Sequence, residues 1–337
     1  MKLSLGQVRD MARGVVDVAE EDGVFSFFRF TKEQSEAYAR TGNRDFHEKT
    51  FATADVRFAF ETNSPSLSFD YRFLRGSSRE FGSFDVYEDG AMTGHFGLEI
   101  KDDDFHHAEI ALSEGVKKVE LYFPWSRNAR LADIALADGA SFKSLRRPRS
   151  LICFGDSITH GYDAKYPSLS YTNILARALD ADGVNKAIGG DQFFPELLET
   201  ADPVAPDFIT VAYGTNDWRH HDREFVEKRA TAFYHRLAAL YPAAHIFALS
   251  PLWRDARPSE SPFGESVSAV HTVIENAVAG LPNVSVVRGY NLVPHLPEFF
   301  SDLRLHPNDA GFAIYAANLA KAINVQLQAL NRKVPIR

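Results

Sequence analysis

Cysteine is almost absent from the 337-residue chain, which contains Cys153 alone. One cysteine excludes an intrachain disulfide and a zinc site built from several cysteines, and it fits a reducing compartment. Long apolar runs are also missing: no stretch approaches the ~18–20 residues of a membrane span, and the first residues lack the continuous apolar core of a signal peptide. We therefore expect a cytoplasmic protein without a membrane partner.

A basic surface is lacking too. Lysine and arginine total 37 against 45 aspartate and glutamate residues, which gives a formal net charge of −8. Such a balance offers no positive field to a polyphosphate, and no stripe of basic residues alternates with aromatic ones. Nucleic acid is therefore not expected as a partner. The one tight basic cluster, Arg146-Arg147-Pro148-Arg149, is either a basic patch or a solvated linker, and we interpret it as a linker that marks a domain boundary.

The N-terminal part of the chain alternates apolar and polar residues in short runs between about Val24 and Asp138. Examples are the segments VRFAFET and LSFDYRF, and a period of two is typical of half-buried strands. Asp89-Gly90 separates two such runs and is a hairpin signal, because both residues tolerate a positive φ. Several short strands with almost no helical period predict an all-β domain, a β-sandwich or jelly roll, over residues 1–147.

After the basic cluster, short apolar runs alternate with amphipathic stretches of helical spacing. The candidate strands are LICFG from Leu151, VNKAIGG from Val184, FITVAYG from Phe208, HIFALSPL from His245 and VSVVRGY from Val284. The clearest candidate helices start at Arg223 and at Asn308, and Asn308 can cap the second of them. Strands that alternate with helices predict an α/β domain over residues 148–337, with a parallel sheet covered on both faces.

Polar or glycine-rich turns follow the first three predicted strands, and in such sheets the strand ends carry the chemistry. Ser157 follows the first strand; taken alone, it is more often a helix N-cap than a nucleophile. A serine becomes nucleophilic only with a base that takes its proton and donors that hold the oxyanion. The candidate donors are the backbone N–H groups of Ser157 and Gly190 and the side-chain amide of Asn216. The candidate base is His306, in a polar loop before the last helix, although a lone histidine is more often structural.

Four short blocks follow one another along the chain: GDSIT with Ser157, IGGD with Gly190, GTND with Asn216 and LHPND with His306. Together they resemble the SGNH hydrolases, the GDSL-type esterase superfamily, over roughly residues 150–330. The resemblance implies a flavodoxin-like, three-layer α/β/α domain that performs two-step acyl transfer. It also implies Ser157 as nucleophile, His306 as general base, and an oxyanion hole formed by Ser157 N–H, Gly190 N–H and the Asn216 side chain. No metal or organic cofactor is implied.

The position of the triad acid departs from the family pattern. The family's usual acid lies three residues before the histidine, where this chain has Leu303, whereas Asp302 lies four residues before it. Either a local backbone adjustment brings Asp302 to His306, or a carbonyl orients the imidazole and the enzyme uses a Ser–His dyad. We predict Asp302 as the acid. Asp156 and Asp217 flank the predicted site and are expected to hold loop backbone by hydrogen bonds, with Asp156 also a candidate substrate contact.

A β-sandwich followed by an SGNH domain is similar to the two-domain carbohydrate esterases that remove acetyl groups from sugars. This resemblance implies a small-molecule or oligosaccharide ester as substrate. A short acyl chain is expected, since no amphipathic lid or long apolar stretch suits a fatty acid. Trp125, Tyr162, Trp218 and Trp253 could stack on sugar rings, or they could pack in the core or on the surface. Trp218 and Trp253 are our candidate substrate contacts.

Two other functions stay open from the sequence. A lipase or thioesterase would act faster on longer acyl chains, whereas an acetylesterase would slow beyond acetyl or propionyl. Alternatively, the displaced acid could mark a degenerate hydrolase domain in a carbohydrate-binding protein, which would bind its ligand without turnover. The oligomeric state is open as well, and a homo-oligomer is not excluded.

Overall fold

A computed structural model describes residues 1–99 and 104–330 of the chain. In its N-terminal part strands dominate, and three short helices accompany them. In chain order these elements are α1 (Leu5–Met11), β1 (Ala12–Arg13), β2 (Asp17–Glu21), β3 (Val24–Phe28), α2 (Lys32–Arg40), α3 (Arg44–Lys49), β4 (Arg57–Thr62), β5 (Ser66–Arg75), β6 (Phe81–Glu88), β7 (Ala91–Glu99), β8 (His106–Ala111), β9 (Lys117–Tyr122), β10 (Arg127–Leu136) and β11 (Lys143–Ser144).

These strands form two antiparallel sheets, as the alternating pattern predicts. One sheet has the order β1-β4-β9-β6-β7, with β11 also paired to β4, and the other has the order β2-β3-β10-β5-β8. Alternate residues of β5, such as Phe69 and Phe73, point into a core rich in phenylalanine. Asp89 and Gly90 form the two-residue turn between β6 and β7, and both have positive φ values, which matches the hairpin prediction.

The three helices are the part of this region that an all-β prediction did not include. Thr31 caps α2, and its side chain and that of Gln34 each accept a hydrogen bond from the other residue's backbone N–H. Asn43 caps α3 by accepting from Phe46 N at 3.2 Å. Ser4 and Gln7 cap α1 in the same reciprocal way. The three segments are too short to produce a clear helical period, so these capping residues are what marks them in the sequence.

The C-terminal part alternates strands and helices. Its elements are β12 (Arg149–Gly155), α4 (Ser157–His160), α5 (Tyr171–Ala178), β13 (Ala181–Asn185), β14 (Phe208–Ala212), α6 (Thr215–His220), α7 (Arg223–Leu240), β15 (His245–Leu249), α8 (Val270–Ala277), β16 (Val284–Val287) and α9 (Asp309–Ala329), with 3₁₀ turns at Pro167–Leu169, Pro195–Leu198, Pro258–Glu260, Val267–Ala269 and Pro297–Phe299. The last seven residues of the predicted C-terminal domain, 331–337, lie outside the described residues.

All five C-terminal strands run parallel, in the order β13-β12-β14-β15-β16. Side chains of β12 alternate between the two faces: Ile152 and Phe154 join a core that includes α7 and α8, while Leu151 and Cys153 join one that includes α5 and α9. The predicted three-layer α/β/α fold is therefore confirmed. Strands β12, β13 and β14 are neighbours in this sheet, so the loops that follow them meet at one edge.

We call the N-terminal part with its two sheets and three helices (residues 1–99 and 104–144) the sandwich, and residues 149–330 the α/β part. Buried polar contacts join the two below this edge. Arg29, which is fully buried, donates hydrogen bonds to the carbonyls of Ala52, Asn185, Ala187 and Lys49. Two of these carbonyls belong to the end of β13 and the loop after it. The sandwich therefore helps to fix the backbone that leads to Gly190. Within residues 1–99 and 104–330, no helix is long and apolar enough to cross a membrane.

Candidate active site

Ser157 lies at the sharp turn between β12 and α4. Asp156, rather than Ser157, is the N-cap of α4: its carboxylate accepts a hydrogen bond from Ile158 N at 3.0 Å. This frees the Ser157 hydroxyl from capping. The turn depends on Gly155, because a Cβ there would lie 2.1 Å from the Thr159 hydroxyl. The sequence therefore needs both residues before Ser157 to present its side chain at the sheet edge.

Ser157, His306 and Asp302 form a continuous hydrogen-bonded chain. His306 Nε2 lies 2.9 Å from Ser157 Oγ, and His306 Nδ1 lies 2.8 Å from Asp302 Oδ2. Asp302 Oδ1 accepts three further bonds, from the backbone N–H groups of Arg304, Leu305 and His306. Burial opposes ionisation of Asp302, but its bonds from His306 and from the backbone outweigh burial and hold the pKa of this carboxyl well below its usual range.

A local backbone adjustment brings Asp302 to the histidine across one extra residue. Leu303 adopts a left-handed conformation, with φ of 62°, and its side chain is 62% exposed. Flanking contacts fix this bulge: Leu303 N donates to Phe300 O at 3.0 Å, and Ser301 N donates to His306 O at 2.8 Å. A leucine at positive φ is strained. The group at His306 Nδ1 is therefore the Asp302 carboxylate. In the alternative Ser–His dyad, a carbonyl would occupy this position.

The three candidate oxyanion donors line one pocket with Ser157 and His306. The pocket has a volume of about 490 Å³. Gly190 has a φ of 91°, and a Cβ there would lie 3.2 Å from the Phe46 ring, so glycine is required by conformation and is favoured by space. Asn216 Nδ2 donates to Asp191 O at 2.9 Å. Because an amide nitrogen carries two hydrogens, this bond orients the side chain and leaves one hydrogen for a ligand.

His160 and Lys49 hold the backbone that carries Gly190. His160 is fully buried; its Nδ1 accepts from Gly189 N at 3.1 Å, and its Nε2 lies 2.9 Å from Trp125 O. Burial lowers the pKa of His160 well below its ordinary value, so the ring is neutral and donates through Nε2. Lys49 Nζ donates to Gly189 O at 2.8 Å. Neither residue was predicted as part of the site.

Buried carboxylates brace the loops beneath the pocket. Asp217 accepts from Phe193 N at 3.0 Å, and Asp191 accepts from the hydroxyls of Tyr38 and Tyr213. Burial raises the pKa of Asp217 and of Asp191 to about 7, and that of Asp156 to about 6. The prediction that Asp156 and Asp217 hold loop backbone is confirmed. Asp156 as a substrate contact is not, because its side chain is buried and does not line the pocket.

The two tryptophans predicted as substrate contacts do not line the pocket. Trp218 is fully buried and its indole N–H donates to Glu265 O at 2.8 Å, so it cannot stack on a sugar. Trp253 packs against His295 and Phe300 and is not among the residues that line the pocket. Trp125 is also in the core, where its indole donates to Ala164 O. Among the four aromatic side chains singled out, Tyr162 is the one that lines the pocket.

The sandwich supplies part of the pocket wall, a contribution that the sequence did not predict. Asp45, Phe46 and Lys49 come from α3, and Ser78 and Arg79 come from the loop between β5 and β6. The cap at Asn43 could have revealed α3. No signal in the sequence relates the Arg79 loop to the α/β part, because that contact depends on how the two parts pack.

Arg79 connects this loop to the α/β part by an ion pair. Its Nε and Nη2 lie 2.8 and 3.1 Å from the two carboxylate oxygens of Asp163, and this bidentate pairing raises the pKa of Arg79. The described residues contain no group of three or more His, Cys, Asp or Glu side chains arranged to hold a metal ion. The arrangement suits acyl transfer by a serine nucleophile.

Comparisons with known proteins agree with this geometry. Residues 153–314 match the GDSL-like Lipase/Acylhydrolase family. No curated protein matches the chain. Similar solved structures include a salicylyl-acyltransferase from a tetracycline biosynthetic pathway (23% identity, 97% of this chain and 96% of that one, TM-score 0.75), and a putative GDSL-like lipase from Bacteroides ovatus (17%, 95% and 97%, TM-score 0.74). Another is an acetyl xylan esterase from Butyrivibrio proteoclasticus (16%, 97% and 96%, TM-score 0.64). At these identities the likeness concerns the fold, which extends over both parts of the chain.

Proposed function

Residues 153–314 are a GDSL-like lipase/acylhydrolase domain, and from this premise we propose that the chain is a serine esterase that removes short acyl groups, acetyl above all, from carbohydrates. The single observation that carries the proposal is the hydrogen-bonded chain from Ser157 through His306 to Asp302. It ends at a pocket that also contains Gly190 and Asn216. A nucleophile, a base, an orienting acid and oxyanion donors are the parts that ester hydrolysis requires.

In the proposed reaction, His306 Nε2 takes the proton of Ser157 as the hydroxyl oxygen attacks the ester carbonyl carbon. The carbonyl oxygen becomes an oxyanion that accepts from Ser157 N–H, Gly190 N–H and the Asn216 amide. The C–O bond to the alcohol then breaks, and the alcohol leaves with the proton from His306. Water attacks the acyl-enzyme in the same way and releases the acid. Asp302 holds the imidazole in one tautomer and stabilises the imidazolium without taking its proton.

The lining of the pocket supports a polar substrate with a short acyl group. Most of its side chains are polar or charged, and Phe46, Tyr162 and Leu305 are its large apolar or aromatic members. A second polar groove of about 620 Å³ shares Arg79 with the pocket and could hold further hydroxyl-bearing units of the alcohol. The acetyl xylan esterase among the similar structures points the same way.

The two alternatives from the sequence are less well supported. A lipase would need an extended apolar surface beside Ser157, and the pocket offers few apolar side chains. A degenerate domain should have lost some part of the catalytic arrangement, whereas here the displaced acid still lies 2.8 Å from the imidazole.

The test is hydrolysis of p-nitrophenyl esters by the wild type and Ser157→Ala, without added metal. We expect Ser157→Ala to lose about a thousandfold or more in kcat. Ser268→Ala, a serine outside the pocket, is the matched control and should keep full activity. Equal activity of Ser157→Ala and wild type would refute the nucleophile assignment.

Two further series define the acyl and alcohol groups. The kcat/KM of an acetylesterase should fall from acetate and propionate to butyrate and octanoate; a steady rise would favour the lipase or thioesterase. Acetic acid release from acetylated xylan and acetylated monosaccharides tests the carbohydrate part. Activity on p-nitrophenyl acetate but on none of the acetylated sugars would exclude the proposed substrate class while keeping the esterase.

A further inference from the structure

A loop of the sandwich reaches the side of the catalytic histidine that faces away from Ser157. We propose that Arg79 in this loop is a positioning residue for His306, which acts through Asp163 and Tyr162. The proposal rests on the proposed function for its kinetic consequence, but the contacts that carry it are independent of the substrate. According to this proposal, the sandwich helps to orient the histidine of the site.

Two carboxylates face His306 Nδ1. Asp302 Oδ2 lies 2.8 Å from it and Asp163 Oδ2 lies 3.8 Å from it. Asp163 is only 14% exposed at its side chain, so water screens its charge poorly. The bidentate contact with Arg79 neutralises this second carboxylate. With Asp163 paired to Arg79, the carboxylate that lies within hydrogen-bond distance of Nδ1 and orients the ring is that of Asp302. Arg79 also interacts electrostatically with Asp302.

Tyr162 provides a second connection between the same loop and the same ring. The Arg79 guanidinium lies over the Tyr162 ring, 5.3 Å from its centroid, and the Tyr162 ring stacks on that of His306 with centroids 5.8 Å apart. The Tyr162 hydroxyl accepts from the backbone N–H of Ser78 at 3.3 Å. Arg79 and Ser78 thus fix the ring that packs on the imidazole.

The other charged groups near His306 do not replace this arrangement. Arg304 is on the same loop as Asp302, and Asp156 lies beneath the nucleophile and interacts electrostatically with His306. Across the pocket lie Asp45, Lys49 and His220, of which Asp45 and Lys49 form an ion pair with each other. Arg79 is therefore the cation that pairs with Asp163.

Removal of Arg79 and removal of Asp163 should shift the titration midpoint of His306 in opposite directions. Arg79→Ala removes a positive charge and leaves Asp163 unpaired 3.8 Å from the imidazole, so the imidazolium form is stabilised. Asp163→Asn leaves Arg79 unpaired, so the imidazolium is destabilised. One poorly screened charge at about 4 Å is expected to shift the titration midpoint by about 1 to 3 pH units. The double variant should return close to the wild-type midpoint.

The experiment is an NMR titration of the His306 imidazole, assigned by loss of its signal in His306→Gln. The variants are Arg79→Ala, Arg79→Lys, Asp163→Asn and the double variant. Arg75→Ala is the matched control, since Arg75 is also a sandwich arginine in ion pairs, but with Asp45 and Glu48. We expect an upward shift in Arg79→Ala, a downward shift in Asp163→Asn, and none in Arg75→Ala. Arg79→Lys should keep the midpoint, because it keeps the charge.

Kinetics supply the second measurement. The acid limb of the kcat/KM profile, measured with a neutral ester, should move with the NMR midpoint. At pH 7, kcat of Arg79→Ala should fall about tenfold, because the imidazole loses its fixed orientation. The kcat of Arg79→Lys should lie between those of wild type and Arg79→Ala, because lysine keeps the charge but lacks the planar fork of donors.

Several outcomes would overturn the proposal. One is an unchanged midpoint in Arg79→Ala; another is an equal shift in Arg75→Ala. A rise in KM alone, with midpoint and kcat unchanged, would make Arg79 a substrate contact and not a positioning residue. If the midpoints shift as expected but the wild type hydrolyses no ester, the positioning role stands and the proposed function fails.

Discussion

The α/β part and the sandwich contribute to the same pocket in different ways. In the α/β part, the chemical groups follow directly from the sheet: Ser157 comes after β12, and Asn216 comes after β14. In the sandwich, Lys49 and Arg79 come from a short helix and from a loop between strands. The first set is defined by the local chain, whereas the second depends on the packing of one part against the other.

The two sets also differ in what they contact. The α/β groups are directed at the place where bonds would break, as the 2.9 Å contact between His306 and Ser157 shows. The sandwich groups instead contact backbone and a carboxylate: Lys49 binds the Gly189 carbonyl and Arg79 binds Asp163. Loss of the first kind should abolish the chemistry. Loss of a sandwich group should lower the reaction rate only in part, because the reacting atoms remain in place.

Among the variants that compare the two parts, we expect the largest loss of kcat for Asp302→Asn. The amide cannot stabilise an imidazolium, and the ring is free to take the wrong tautomer, so kcat should fall by about 10³ to 10⁴-fold. The change keeps an oxygen that can accept from the backbone N–H groups of the loop, so the fold should persist. The measurement is kcat on p-nitrophenyl acetate, with circular dichroism as the check on folding.

Asp163→Asn is the control for Asp302→Asn, since both change a carboxylate at the same ring nitrogen. Its kcat should stay within about tenfold of wild type, because Asp302 still orients the ring. Equal losses in the two variants would show that the carboxylates share the role of triad acid, and the 2.8 and 3.8 Å separations from Nδ1 would then not rank them.

The α/β part could be predicted from the sequence because its signals are local and periodic. Each of the first three predicted strands carries its candidate site residue at or within a few positions of its end, so the alternation of strands and helices was enough to bring Ser157, Gly190 and Asn216 to one edge. The acid was harder: the spacing left Asp302 and a dyad as alternatives, and the left-handed Leu303 that decides the geometry has no sequence signal, since leucine is not a residue that favours positive φ.

Other features could not be predicted because they depend on packing. Trp218 follows Asn216 by two residues, yet the turn of α6 carries its ring into the core. The Arg79 loop lies between two strands whose alternation describes only the sandwich itself. Arg29 is an isolated arginine in an apolar run, and its four carbonyl partners come from two separate parts of the chain.

Arg29→Met tests whether the sandwich stabilises the loop that carries Gly190. The change leaves four buried carbonyls without this donor, so the free energy of unfolding should fall by about 3 kcal/mol or more. Arg29→Lys should not restore the lost stability, because one ammonium cannot reproduce the planar fork of donors. The measurement is urea unfolding.

Arg9→Met is the control. Arg9 is half-exposed and donates to Val18 O within the sandwich, so its loss should lower the free energy of unfolding by about 0.5 kcal/mol or less. Equal losses in the two variants would contradict a special role for Arg29.

The smallest expected effect is a change of stability with pH. We expect it to come from Asp217, a buried carboxyl beneath the pocket in the α/β part. Burial raises the pKa of Asp217 to about 7, above the value of about 4 in an unfolded chain, so the folded state binds this proton more tightly. The stabilisation is complete below about pH 4 and is lost as the pH rises through 7.

Asp217→Asn removes this titration and keeps the oxygen that accepts from Phe193 N. In the described part of the chain, the other carboxylate oxygen has no hydrogen-bond partner, so an uncharged group suits the site. The melting temperature of the wild type should fall between pH 5 and pH 8. That of Asp217→Asn should fall less, because the variant carries no carboxylate that ionises at this site. Identical slopes in the two proteins would show that Asp217 is ionised throughout, and that the loops beneath the pocket accommodate its charge.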